Sequence, residues 1–200
     1  ILLMGYLFIS CSSEKNKKMD SEEISAEEIL NNPEYLAISY GGYRQNTRDI
    51  QPTIDELKED LQVLSSIGIK ILRTYNLQLD QAPNILKAIK ELKTVNPEFE
   101  MYVMLGAWID CENAWTDIPN HENENESANA VEIQKAINLA NQYPEIVKII
   151  AVGNEAMVNW ASSYYVQPSV ILGWVNHLQD LKKQKKLPEN LWVTSSDNFA

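Results

Sequence analysis

Residues 146–152 (IVKIIAV) form a β-branched apolar run that ends in Gly153-Asn154-Glu155, and no other segment limits the possible folds so strongly. A strand of this composition is buried on both faces, which happens in parallel sheets covered by helices. The rest of the chain repeats the pattern. Residues 35–40 (YLAISY) read as a strand closing on Gly41-Gly42. Thr53, with Glu56 three residues later, is a capping box that opens a helix. Ile54, Leu57, Leu61, Leu64 and Ile67 then recur at helical spacing up to Gly68. Strands are predicted over 69–75, 101–109 and 191–196, and helices over 84–95, 130–143 and 170–186. The KKQKK end of the last helix suits the negative end of its dipole.

Strands and helices that alternate without hairpin signals imply a parallel sheet. Asp110 to Asn129 is the one long insertion, acidic and Asn-rich, and reads as a solvated loop. An open doubly wound sheet and a barrel both fit this order. The open sheet would often carry a glycine-rich phosphate loop after its first strand. Here Gly41-Gly42 leads into Tyr43-Arg44, and neither GxGxxG nor a Walker pattern occurs. The expected class is therefore α/β, a (β/α)8 TIM barrel of which about the first five β/α units lie in residues 35–200. Five strands do not close an eight-stranded ring, so the protein is expected to continue past Ala200.

Charge narrows the partners. With 17 Lys+Arg against 28 Asp+Glu, the formal net charge is −11. Such a surface repels nucleic acid and, in the absence of a local basic patch, polyanionic glycans. Neutral substrates remain. No cofactor or metal is expected: His121 lies in the irregular acidic run NHENENE, His177 lies on a helix, and Cys111 has no His or Asn at nucleophile-like spacing.

The first ten residues (ILLMGYLFIS) are apolar but too short to span a bilayer, which takes about twenty. They read as the end of a signal-peptide core, placing residues 1–11 in an export signal. A small residue followed by Cys11 is similar to a bacterial lipobox, so Cys11 is the expected lipidation site. A Cys11–Cys111 disulfide is the alternative. Residues 12–34 read as a polar tether, within which 25–30 can form a helical turn. The expected location is exported and lipid-anchored, at the outer membrane, the cell surface or the periplasm. The chain begins at Ile1 rather than Met, as an internal start would.

Barrel enzymes keep their chemistry at the C-terminal ends of the strands. Those ends supply Tyr40, Tyr43 and Arg44; then Arg73 and Tyr75; Trp108 and Asp110; Asn154 and Glu155; Asp197 and Asn198. Every apolar strand finishes in polar or aromatic residues. A carboxylate after so apolar a strand is costly to bury unless paired, and partial desolvation suits a general acid. Glu155 is thus the candidate proton donor of a glycoside hydrolysis, with Asn154 placed to bond a sugar 2-OH. Tyr40, Tyr75 and Trp108 offer ring faces to sugars. Arg73 and Asp197 are candidates to hold hydroxyls or carboxylates. Trp115, Trp160, Tyr164 and Tyr165 are candidates for the rim of the same face.

The segments IS-YGGYR, ILRTYN, VMLGAWID and IIAVGNEAM together resemble glycoside hydrolase family 17, the β-1,3-glucanase family. The resemblance runs from about Ile38 to Ala200. It implies a (β/α)8 fold, retention of anomeric configuration and a neutral 1,3-linked β-glucan such as laminarin. By the same resemblance Glu155 is the proton donor and Asn154 orients the −1 sugar. The family's nucleophile, a Glu near the end of the seventh strand, has no match in this chain, so the fragment alone is expected to be inactive. A glucanosyltransferase and a non-catalytic surface glycan-binding lipoprotein are the competing expectations; a monomer is expected in each case.

Overall fold

A computed structural model describes residues 24–198; the proposed signal segment, Cys11 and the first part of the proposed tether lie outside the described residues. In chain order the elements are α1 (Ala26–Leu30), β1 (Leu36–Ser39), α2 (Ile54–Ser66), β2 (Ile69–Arg73), α3 (Gln81–Val95) and β3 (Tyr102–Ala107). They continue with β4 (Cys111–Glu112), β5 (Asn120–Glu124), α4 (Glu126–Gln142), β6 (Val147–Asn154), α5 (Pro168–Lys183) and β7 (Trp192–Ser196). Five strands form one parallel sheet in the order β1-β2-β3-β6-β7. Each new strand is added beside the last, with no reversal of direction across the sheet. Right-handed crossovers then bring α2, α3, α4 and α5 to the same face. This is the winding of a barrel, whereas a doubly wound sheet needs a switch point.

The sheet has two unlike faces, set by the period-2 alternation of its strands. Leu72, Val103, Leu105, Ala107, Val147, Ile150 and Val152 pack outward with Leu57, Leu61, Ile85, Ile89, Ile133 and Ile137 of the helices in one continuous core. Each fully buried Leu or Ile there contributes roughly 1.5–3 kcal/mol relative to exposure. The other face carries Ile71 and Tyr102. At the open edges Leu36 and Ile38 of β1 are 50% and 40% exposed, and Trp192 of β7 is 39% exposed.

Three sequence expectations need completion or correction. The helical turn expected at 25–30, inside the segment read as a tether, is α1. Ser25 and Glu28 form a reciprocal capping box, and Ile29 packs on Ile71 and Tyr102 beside Ile24 and Tyr35. Tyr35 precedes β1 and Tyr102 opens β3, so α1 covers the N-terminal ends of the strands. The second correction concerns the insertion, which is exposed over much of its length but not irregular. It forms the antiparallel pair β4–β5, with Cys111 opposite Glu124 and Glu112 opposite Asn120. Glu112 Oε2 accepts from Asn120 Nδ2 (2.6 Å) and Asn123 Nδ2 (3.1 Å), so amide side chains hold a pair that strand propensity alone would not. Cys111 is buried and has no disulfide partner among the described residues.

The third concerns the β6 run, which contains a lysine. Lys148 is 2% exposed, and its Nζ donates to the Pro144 carbonyl (3.0 Å) and lies 5.9 Å from the Tyr102 ring centroid. At the same end Glu100 accepts from Tyr35 Oη (2.5 Å), Tyr102 Oη (3.1 Å) and Lys70 Nζ (2.6 Å). A buried charge is retained when it is paired and hydrogen-bonded.

Candidate active site at the strand C-termini

β6 delivers Glu155 through an irregular turn. The β6–β7 register shifts between Val152 and Asn154, a bulge centred on Gly153. Gly153 has φ +78°, and a Cβ there would meet Ile171 Cδ1 at 2.9 Å and Ala156 Cβ at 3.0 Å. Glycine is required on both counts. Glu155 itself has φ +50°, a left-handed conformation that a glutamate rarely adopts. Its N–H donates to the Ser196 carbonyl (2.9 Å), tying the turn to the end of β7. Bulges beside sites re-aim side chains, and strain of this kind persists where the surroundings impose it. The half-buried carboxyl accepts at Oε1 from Asn198 Nδ2 (3.4 Å).

Three strand ends converge on one arginine. Arg73 Nη2 donates to Asn154 Oδ1 (2.5 Å), reaching across β3, and Nη1 donates to Ser39 Oγ (3.3 Å). The guanidinium carbon sits 5.2 Å from the Tyr75 ring centroid. Arg73 Nε is buried without a hydrogen-bond partner among the described residues. Beside this link Gly106 lets the backbone after β2 close onto β3: a Cβ at 106 would lie 2.4 Å from the Thr74 carbonyl oxygen. Arg73→Lys keeps the charge and loses the fork. With a hydrogen bond to a charged group worth about 1.5–3 kcal/mol, the variant is expected to unfold at a lower urea midpoint with an unchanged slope.

The chain after β3 and the loop after β6 together raise an aromatic wall. Tyr164 packs on Trp115 (centroids 4.9 Å apart, planes 25° apart) and on Trp108 (4.8 Å, 46°). Burial pushes the Tyr164 phenol pKa up, and the charges of Glu155 and Asp197 add to it, so the wall lies within electrostatic reach of the carboxyl. The β4–β5 insertion completes the wall. Trp115 N–H donates to the Ser163 carbonyl (2.8 Å) and Cys111 N–H to the Tyr164 carbonyl (3.1 Å). Trp115 remains 62% exposed.

Other expected site residues are used differently. Tyr40 does not face the mouth. Ser39 points inward to Arg73, so alternation sends Tyr40 outward, where its hydroxyl donates to Asp60 Oδ2 of α2 (2.8 Å) and its ring joins the sheet–helix core. Asp197 is exposed and accepts at Oδ2 from Met157 N–H (2.9 Å), so one of its oxygens fastens the loop after β6. Trp160 is exposed. Tyr165 stacks on His121 (3.7 Å, 10°), whose Nδ1 lies 2.8 Å from the Tyr165 carbonyl oxygen, which gives that histidine a structural place.

A further group had no signal in the sequence. Glu132 is 4% exposed on α4, and its Oε1 accepts from Leu77 N–H (2.5 Å) and Trp108 N–H (2.9 Å). Burial pushes its pKa up, as does the charge of Asp110, against the two backbone N–H donors and Lys135. Burial likewise pushes up Asp110, which accepts from Trp108 Nε1 (3.3 Å). A cleft of about 530 Å³ lined by Gln78, Trp108, Asp110, Asn129, Glu132 and Lys135 opens beside them. Since the folded-state pKa of Glu132 lies above the unfolded one, the folded protein holds this proton more tightly. Stability then falls as pH rises from the ordinary glutamate range through the elevated value. Glu132→Gln is expected to remove that slope, measured as the thermal midpoint against pH.

No family model matches the chain. It is 63% identical to an endo-laminarinase from Formosa Hel1_33_131 of known crystal structure, with a TM-score of 0.86 over 88% of this chain and 45% of that one. A protein of Aspergillus niger provisionally named glucan endo-1,3-beta-glucosidase btgC is 28% identical over 146 residues, 73% of this chain and 19% of that protein. The chain thus spans less than half the length of either relative. In sequence and in fold it is β-1,3-glucanase-like, in keeping with the resemblance to glycoside hydrolase family 17 carried by its strand-end motifs.

Proposed function

We propose that this chain is the N-terminal part of a retaining glycoside hydrolase that cleaves β-1,3-glucan, with Glu155 as its general acid/base. The observation that carries the reading is the position of Glu155: at a parallel strand's C-terminal end, in a left-handed turn within electrostatic reach of an aromatic wall, in a chain 63% identical to an endo-laminarinase. Protonated Glu155 donates to the glycosidic oxygen while a second carboxylate attacks the anomeric carbon. The acid then serves as base for the incoming water. The second carboxylate is a Glu of the remaining enzyme, roughly 5–5.5 Å away as retention requires. Asn154, with its carbonyl oxygen held by Arg73, turns its amide N–H toward the −1 sugar, and Arg73 Nε serves a sugar hydroxyl or the second carboxylate. Trp108, Trp115 and Tyr164 receive sugar faces.

Both named relatives are endo-acting by name, which favours internal cleavage. The test is incubation of the full-length protein with laminarin. Short oligosaccharides of several sizes are the expected products. Products longer than a supplied laminari-oligosaccharide would instead mark a glucanosyltransferase, and no product of either kind would leave a glycan-binding protein. The apolar run before Cys11 supports export and lipid anchoring at that residue. Cys11→Ala is expected to move the protein from the membrane fraction to the soluble one; an unchanged distribution rejects the anchor.

A further inference from the structure

We propose that Glu132 is a positioning residue for glucan binding: one carboxylate oxygen holds the backbones of Leu77 and Trp108, fixing the aromatic wall relative to the loop after β2. The inference rests on the glucanase reading of the mouth.

The joint it makes is specific. Leu77 follows β2 and Trp108 follows β3, and each gives its N–H to Glu132 Oε1. Lys135, one turn further along α4, donates from Nζ to the Leu77 carbonyl (2.9 Å), so a single helix grips both polar groups of that residue. Asn129, one turn earlier, accepts from Asp110 N–H (3.1 Å) and donates to the Asp110 carbonyl (3.1 Å). Asn129, Glu132 and Lys135 follow at three-residue steps and share one face of α4. The three side chains bind the backbone of two strand-end loops in place of the direct loop-to-loop bonds a shorter connection would make.

A buried carboxylate is a costly way to fill such a place. Its advantage over a bridging water lies in shape: a single oxygen at the end of a packed side chain accepts from both N–H groups at once. The two bonds leave the Trp108 backbone little play. The Trp108 ring contacts Tyr164, whose phenol feels the charge of Glu155. Glu132 touches none of the reacting atoms in this arrangement and acts through the wall that receives the sugar.

The test compares Glu132→Ala and Glu132→Gln in the full-length enzyme, following amide hydrogen exchange at Leu77 and Trp108 together with kcat and KM on laminari-oligosaccharides. Loss of this joint is expected to raise KM about tenfold in Glu132→Ala with kcat nearly unchanged, the signature of lost uniform binding. Exchange at both amides should quicken in the same variant. Glu132→Gln keeps an acceptor of the same shape and is expected to lie between wild type and Glu132→Ala on both measures. Faster exchange with wild-type KM in either folded variant overturns the proposal, as does unchanged exchange in Glu132→Ala. Should Glu132→Ala fail to fold, Glu132→Gln is judged by the same KM and exchange readings. A wild-type enzyme that does not cleave laminari-oligosaccharides counts against the glucanase reading instead, while its amide exchange still reports on the joint.

Discussion

Glu155→Gln in the full-length enzyme is expected to lower turnover of laminarin by about 10²- to 10⁴-fold, the usual contribution of a positioned general acid. The fold should survive. The side chain's hydrogen-bond partner is Asn198, and a glutamine oxygen accepts that bond equally well. The left-handed backbone at 155 treats the two residues alike. The loss should also depend on the leaving group. The aryl group of an aryl laminaribioside leaves as a stable phenolate that needs no proton, so glycosylation by this substrate should suffer far less than by unmodified glucan. Laminarin turnover near the wild-type rate, or equal losses on the two substrates, would remove Glu155 from the acid role.

Gly106→Ala is expected to be the most damaging single change away from the carboxylate. The added methyl would lie 2.4 Å from the Thr74 carbonyl oxygen and 2.8 Å from both the carbonyl carbon and the oxygen of Tyr75, all backbone atoms that cannot swing aside. The β2–β3 joint must open. Thr74 Oγ, which accepts from Gly106 N–H (3.1 Å), would be displaced as well. Overpacking of this sort costs about 1–3 kcal/mol, occasionally more, and urea unfolding should show it as a lowered midpoint with an unchanged slope. Because Arg73 and Tyr75 sit on one side of the joint and Trp108 on the other, kcat/KM should fall even in the fraction that folds. A wild-type unfolding midpoint would mean that the strands have more freedom than the geometry allows.

Much of this architecture is legible in the residues. Apolar strands that end in polar and aromatic groups, separated by amphipathic helices, leave few alternatives, and Glu155, Asn154, Arg73, Tyr75 and Trp108 all lie at strand C-termini. What escaped reading has identifiable causes. Tyr40 failed on parity: one residue's shift along a strand exchanges the inner face for the outer, and the inward place belongs to Ser39. The β4–β5 pair failed because NHENE has no strand propensity; carboxylate–amide bonds and the His121–Tyr165 stack hold it. Helix α3 begins at Gln81, three residues before the expected start, because Pro83 is tolerated in a first turn. Glu132 was invisible because a glutamate inside a helix ordinarily faces water, and only the fold of two distant loops over α4 buries it.

The cap formed by α1 decides which way the molecule looks. Ile29 is seated at the end of the sheet where the strands begin, and Glu155 stands where they finish. The described chain therefore begins at the pole opposite Glu155, and nothing that α1 covers stands between the strand-end mouth and the surroundings.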